Sequence, residues 1–433
     1  MDTNAGLGIK FKNTPEYAKY LDETDPLKHF RDQFYIPLVN GKEAIYFTGN
    51  SLGLQPKRTQ DYVLNELEDW ANYGVEGHFH ARNPWLSYHE LFPELLAEIV
   101  GALPEEVVAM NQLTVNLHLL MVSFYRPTSK RYKIICEAKA FPSDQYAMQS
   151  QVSFHGFNPS DAIIEVAPQP GSHAITTEDI LEAIRVHGNE TALVLFGGVN
   201  YYNGQVFDMQ AICKAAQQTG ALCGFDLAHA AGNIHLELHD WNVDFACWCS
   251  YKYLNSGPGG VAGAFIHQRH ITDRALPRFA GWWGHDKDNR FKMEKEFIPI
   301  PTAEGWQLSN APVLSMAAHK ASLDIFKEAG MHNLVKKGRA LSSYLLYILN
   351  EINMSASDSI IEVITPQHEN EHGCQVSMLM HRDGRKIFDA LNKEGVIADW
   401  REPNVIRIAP VPLYNSFEDI FRFGEIIQRY IQS

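Results

Sequence analysis

Two short apolar runs, Ala221–Phe225 and Phe245–Cys249, constrain this chain more than any other stretch. Each reads as a buried strand; the first ends on Asp226 with His229 just beyond, and the second runs into Ser250-Tyr251-Lys252. Upstream, Tyr132–Glu137, Ile163–Val166 and Thr191–Phe196 read as strands, with helices over Thr177–His187 and Asp208–Thr219. Downstream, Gly263–Ile266 adds a strand. Strands alternating with helices of this length fold as right-handed βαβ units around a mainly parallel sheet. Such sheets bind ligands at the carboxyl ends of their strands, so Asp226 and Lys252 are placed to face one pocket.

An acid and a lysine at one pocket suit pyridoxal phosphate. The lysine forms a Schiff base with the aldehyde, and the carboxylate keeps the pyridine nitrogen protonated so that the ring accepts electrons. Both residues also have ordinary uses, since an Asp after a strand often caps a turn and a Lys there is usually solvated. The neighbouring Gly257-Pro258-Gly259-Gly260 lets backbone approach a ligand unobstructed. It is no P-loop, because no Gly-Lys-Ser/Thr closes it.

The 433 residues suffice for a large core and about two domains. A net charge of −14 argues against nucleic acid, which is bound through clustered Lys and Arg, and favours a small-molecule partner. The start, MDTNAGLGIKFKNT, has no basic segment followed by an apolar one, and no run approaches membrane-spanning length, so a cytoplasmic protein away from membranes is expected. Cys136, Cys213, Cys223, Cys247, Cys249 and Cys374 mostly lie in apolar runs and are expected to be reduced. Cys247-Trp-Cys249 lies near His235 and His239 but lacks a second cysteine pair, so no metal site is expected.

Other residues invite a role. Ala44–Phe47 reads as a strand running into Gly49-Asn50-Ser51-Leu52-Gly53, a turn that presents the Ser51 hydroxyl. Thr59–Tyr73 is helix-like, with Tyr62, Leu64, Leu67, Trp70 and Ala71 at helical spacing. His78 and His80 follow. Leu113-Thr114 opens a buried helix over Val115–Tyr125; Thr114 as its N-cap would leave N–H groups and a partial positive charge for a phosphate. Phe141, ahead of Pro142-Ser143-Asp144, can stack on a flat ring or simply pack in the core. Beyond Val313 come a long helix, strand-like runs at Ile360–Ile364, Gln375–Met380, Val396–Trp400 and Val405–Ala409, a helix at Arg385–Lys393, and a last helix capped by Ser416.

VNLHLLMVSFYRPTSKRYKI, EAKAFPSDQYA, DLAHAAGN, DFACWCSYKYLNSGPGG and RIAPVPLYNSFED, in this order, resemble kynureninases, which are fold type I, aspartate-aminotransferase-like pyridoxal-phosphate enzymes. The resemblance runs from about Gly49 to Asp419. It implies an α/β fold: a large domain (46–312) with a mainly parallel seven-stranded sheet flanked by helices, a small α+β domain (313–433), and an N-terminal arm (1–45) packing with the latter. The implied reaction is pyridoxal-phosphate-dependent hydrolysis of L-kynurenine or its 3-hydroxy derivative to an anthranilate and L-alanine, in tryptophan degradation and NAD biosynthesis.

The resemblance also implies roles. Lys252 and Tyr251 are catalytic; Leu113 and Thr114 hold the phosphate; Phe141, Pro142, Ser143, Asp144, Asp226 and His229 surround the ring. Trp282 and Asn310 reach a cofactor or substrate site that a second subunit completes, so a homodimer is expected. Ser51, His78 or His80, and Asn310 face the substrate, and Arg407 clamps its α-carboxylate, a task that suits a planar guanidinium better than Lys. Gly197 stands where the family usually has a phosphate-binding serine. Two rivals compete: a cysteine desulfurase-like lyase, which needs a reactive thiol for which Cys374 is the candidate, and a non-catalytic pyridoxal-phosphate-binding protein.

Overall fold

Seven strands, β1 (Val107–Ala109), β2 (Lys133–Glu137), β3 (Ile163–Val166), β4 (Thr191–Gly197), β5 (Leu222–Asp226), β6 (Phe245–Trp248) and β7 (Gly263–Ile266), form one sheet in the order β1-β7-β6-β5-β4-β2-β3. The computed structural model in which they are seen describes residues 11–355 and 360–432. β6, β5, β4, β2 and β3 are parallel, whereas β7 runs antiparallel to both β6 and β1. The expected α/β sheet is present, and β2 to β7 match the expected runs to within about a residue at each end. β1 has no counterpart among them: it is only three residues long and follows the Pro104–Glu106 turn, so its apolar pattern is too brief to stand out.

Contacts divide the chain into two units. The described residues of Met1–Lys57, Val199–Val206 and Ile325–Ser433 form one; Arg58–Gly198 and Phe207–Asp324, which include the large sheet, form the other. Helices α1 (Thr59–Tyr73), α2 (Leu113–Phe124), α3 (Pro142–Phe154), α4 (Thr177–His187) and α5 (Met209–Thr219) belong to the latter. α2 packs Leu117, Leu120, Met121 and Phe124 against Phe245, Cys247, Ala264 and Ile266 of the sheet, with Phe124 stacked on Phe245 at 4.8 Å. Each such fully buried large side chain contributes about 2–3 kcal/mol of apolar burial.

One detail was left open by the sequence and two differ from its expectation. α1 turns its apolar stripe outward: Leu64, Leu67, Trp70 and Tyr73 are exposed while Glu66 and Asp69 are buried. Those two acids face inward because the Trp85 indole N–H donates to Glu66 at 2.9 Å and the Arg82 backbone N–H to Asp69 at 2.8 Å. The long helix after Val313 is two, α6 (Val313–Ala329) and α7 (Met331–Ser355), separated at Gly330, whose φ of +75° a glycine adopts without strain. The run Val396–Trp400 also divides: Val396–Ile397 pairs with Ile45–Tyr46, and residues 399–401 join another sheet.

That sheet, in the other unit, comprises β8 (Ile361–Val363), β9 (Val376–Met380), β10 (Asp399–Arg401) and β11 (Val405–Ile408) in the antiparallel order β8-β9-β11-β10. Its apolar face packs on α7 and on α8 (Gly384–Lys393) and α9 (Phe417–Gln432), with Tyr344, Ile348, Leu391, Ile406, Ile408 and Phe423 buried. The Pro15–Thr24 helix packs beside α9, where the Asp22 carboxylate accepts the Phe417 and Glu418 N–H groups at 2.8 and 2.9 Å. Ser416 caps α9 as expected, accepting from Asp419 N–H at 3.0 Å. Of the arm expected over 1–45, residues 1–10 lie outside the described residues.

Candidate active site

Asp226 closes β5 directly beside Gly197 at the end of β4, the two in parallel register. Its Oδ1 accepts the Ala228 N–H at 2.7 Å. A second carboxyl arrives from α3. Pro142 occupies the first helical turn, where its fixed φ suits the start and its missing N–H costs nothing, and this turn buries Asp144. Asp144 hydrogen-bonds to Asp226, and burial together with the Asp226 charge holds Asp144 well above the usual carboxylate range. Burial raises Asp226 as well, opposed by the Ala228 N–H, the Lys252 charge and the bond from Asp144. A proton therefore sits on Asp144 and is donated to Asp226, leaving the negative charge at the strand end.

Lys252 follows β6, and its Nζ lies over the Phe141 ring at 5.8 Å from the centroid. Phe141, at the N-cap of α3, is 40% exposed although it is set in the helix-start turn. Burial pushes the Tyr251 hydroxyl above the usual phenol range, with Cys249 adding to the shift. His229 is buried next to this strand end, edge-on to Tyr253 at 6.4 Å. The apolar β5 and β6 thus bring an acid and an amine to one end of the sheet, and the start of α3 adds an aromatic face.

α2 begins two residues earlier than expected: Gln112 is the N-cap, and Thr114 is the second helical residue, so Thr114 does not cap. The first intrahelical bond, from Asn116 N–H to the Gln112 carbonyl at 3.0 Å, leaves the Leu113, Thr114 and Val115 N–H groups without intrahelical partners. Buried Asn116 ties this turn to the sheet by donating to the Met110 carbonyl at 2.9 Å and the Gly263 carbonyl at 3.4 Å.

These residues fit a phosphorylated pyridine aldehyde. The Ser250 and Ser256 hydroxyls, on either side of Lys252, are buried without a hydrogen-bond partner in the protein. An unsatisfied buried hydroxyl costs about 1–3 kcal/mol, which a phosphate or a ring substituent would recover. Gly257 and Gly259 have φ of +91° and +63° with open space where side chains would stand, so the loop after Lys252 admits a ligand close to backbone. Ser256 is a residue that sequence reasoning missed; its only signal is its place before the glycine run.

The remaining candidates are placed as follows. His78 is half-buried, Nδ1 2.9 Å from the Val75 carbonyl and its ring edge-on to Trp85, while His80 is exposed and pairs with Glu76 at 3.8 Å. Trp282 is 45% exposed with its indole N–H donated to the Arg290 carbonyl at 3.1 Å, and Asn310 is exposed. Gly197 donates its N–H to Glu137 Oε1 at 3.2 Å. In the other unit, Ser51 is exposed in a turn closed by its N–H to the Thr48 carbonyl at 2.8 Å. Arg407, on β11, is 1% exposed. None of the six cysteines forms a disulfide, all are buried, and burial pushes the Cys374 thiol up to about 12.

Residues 334–427 match the family described as Kynureninase C-terminal domain. The chain is 59% identical to the kynureninase of Flavobacterium psychrophilum over 97% of its own length and 99% of that relative. Against that of Flavobacterium johnsoniae it is 60% identical over 98% and 99%, and against the human kynureninase 47% identical over 100% and 97%. Among solved structures, a cysteine desulfurase from Thermococcus onnurineus superposes with a TM-score of 0.73 at 16% identity, covering 96% of this chain and 98% of the other. A cystine C–S lyase bound to cysteine persulfide gives 0.75 at 16% identity, covering 89% and 97%. Identities this low convey the fold and nothing of the substrate.

Proposed function

The chain belongs to the kynureninase family, and on that premise we propose that it hydrolyses the Cβ–Cγ bond of L-kynurenine or 3-hydroxy-L-kynurenine to an anthranilate and L-alanine, with pyridoxal 5′-phosphate as cofactor. The observation that carries this reading is the convergence of Lys252, the Asp226–Asp144 pair and the exposed face of Phe141 at one end of the large sheet. When bound, the cofactor supplies an aldehyde for amine condensation and a ring that withdraws electrons from the substrate Cα. The chain supplies the rest.

Lys252 Nζ provides the amine and then carries the proton at Cα. The Asp226 carboxylate holds a proton on the ring nitrogen, and its partner Asp144 keeps that charge oriented. Phe141 stacks on the ring face. The Leu113 and Thr114 N–H groups at the start of α2 bind phosphate. Tyr251, a weak acid in its buried setting, retains its hydroxyl proton at neutral pH and donates it as a hydrogen bond. Ser51, His78 and Asn310 face the substrate, and Arg407 pairs with its α-carboxylate.

We also propose a homodimer. The outward apolar stripe of α1, continued by Val75 and Phe79, supports a second copy as its cover, because a run of large exposed side chains is costly in water. Exposed Trp282 and Asn310 suit residues that reach a neighbouring subunit's site. No helix among the described residues is long and apolar enough to cross a membrane. The free cysteines support a reducing compartment, the cytoplasm.

The test is an absorbance spectrum of the purified protein with anthranilate fluorescence followed after adding L-kynurenine. A yellow protein that releases anthranilate is expected. A yellow protein without turnover overturns the substrate, and a surviving visible band in Lys252→Ala overturns the site.

A further inference from the structure

Strand register places Arg407 directly opposite two polar residues on the same face of the small sheet: Ser377 on β9 and Asp399 on β10. Asp399 Oδ1 accepts from Arg407 Nε at 3.2 Å, and Oδ2 lies 2.9 Å from Nη2, so the carboxylate grips one edge of the guanidinium with both oxygens. Arg407 Nη1 donates to the Tyr201 carbonyl, and the Ser377 hydroxyl donates to the next carbonyl, Tyr202, at 2.7 Å. Because β-strand side chains alternate, Arg401 falls on the same face as Asp399, and its Nη2 donates to Oδ2 at 3.3 Å. One carboxylate therefore stands between two guanidiniums, and the three formal charges sum to +1.

We propose that Asp399 is the positioning residue for Arg407: it fixes the plane of the guanidinium while leaving a net positive charge for an incoming carboxylate. This deepens the proposed function and rests on Arg407 as the α-carboxylate clamp. A long Arg side chain would otherwise have to surrender its rotamer freedom at each binding event, which lowers affinity without touching the chemistry at Cα. With Asp399 in place the fork is set before the substrate arrives, and the substrate's negative charge brings the group of four to neutrality. Asp399 touches Arg407, and its effect on the substrate passes through that residue.

The experiment is a double-mutant cycle on the holoenzyme with Asp399→Asn, Arg407→Lys and both together, measuring kcat and KM for L-kynurenine. Asp399→Asn is expected to raise KM about tenfold or more with kcat changed less than about threefold, the loss expected of a charge-assisted pair. The double variant is expected to be no more than about threefold worse in KM than Arg407→Lys alone, as non-additivity requires of residues acting through one contact. Asp399→Glu, which keeps the charge at a displaced position, is expected between wild type and Asn and serves if the Asn variant does not fold.

The same proteins are titrated with L-alanine, followed by the visible absorbance of the cofactor. If wild type binds L-alanine but turns over no L-kynurenine, the substrate reading fails while the coupling is still measured. A KM and an L-alanine Kd within about twofold of wild type in Asp399→Asn, or strictly additive effects in the cycle, overturn the positioning role.

Discussion

Asp144 donates a hydrogen bond to Asp226, so two buried carboxyl groups share one negative charge at the end of β5. A like-charged pair this close cannot both ionise, and burial adds to the cost. The charge sits on Asp226 because the Ala228 N–H and Lys252 favour it there. Asp226→Asn, which removes the charge from the strand end, is expected to lower kcat at least ~100-fold, the scale of losing a charge-stabilising group at a reacting centre. Asp144→Asn still offers an N–H to Asp226 and is expected to cost less than about tenfold. Steady-state kinetics of the two variants decide it; a larger loss in Asp144→Asn than in Asp226→Asn would mean that Asp144 carries the charge.

Phe141 is expected to act through stacking alone. The residue is 40% exposed, and Lys252 Nζ lies 5.8 Å from its ring centroid. Replacing it by Leu retains apolar bulk but loses the aromatic face, worth ~0.5–1.5 kcal/mol, so cofactor Kd should rise about 3- to 10-fold with the visible spectrum preserved. Equilibrium dialysis of pyridoxal phosphate against Phe141→Leu measures this directly. An unchanged Kd would return Phe141 to an ordinary packing role.

The two strands that deliver Asp226 and Lys252 were legible because each is a continuous apolar run ending in a polar residue, the pattern of a strand buried on both faces. The phosphate end of the site was legible only to within two residues, since Gln112 and Thr114 flank the helix start alike and only backbone angles separate cap from first turn. The facing of α1 was not legible, because periodicity reports an apolar stripe but not whether core or another surface covers it; buried Glu66 and Asp69 are specified by partners at Trp85 and Arg82, distant along the chain. Asp399 was illegible for a similar reason. Its meaning comes from a strand register that puts it opposite Arg407, and no local pattern encodes that pairing.

Cys374→Ala is expected to retain activity within about twofold, because a thiol raised to about 12 by burial offers no thiolate at neutral pH. Sulfur-transfer chemistry of the desulfurase kind needs an accessible, ionised thiol, so the shared fold brings no such reaction here. Loss of turnover in Cys374→Ala with an unchanged melting temperature would reopen that alternative. The site is tightly packed: a Cβ added at Gly338 would stand 3.0 Å from the Cys374 sulfur.

Glu304 carries the clearest acid dependence. Burial alone would raise its pKa, but the His89 ring at 3.6 Å and the Lys287 ammonium at 2.8 Å outweigh burial and lower it from 4.5 to about 2. A carboxyl depressed in the folded state stabilises the protein above its unfolded pKa, and the benefit disappears as pH falls through the folded one. The shift corresponds to about 3 kcal/mol, present in full above about pH 5 and lost progressively towards pH 2. Glu304→Gln keeps shape and one acceptor but removes the titration. Its melting temperature should therefore fall below wild type at pH 7 by about 3–4 °C, with the two curves converging as pH drops below 4. A constant offset at every pH would assign the loss to packing, and the ion pair with Lys287 would then contribute nothing to stability.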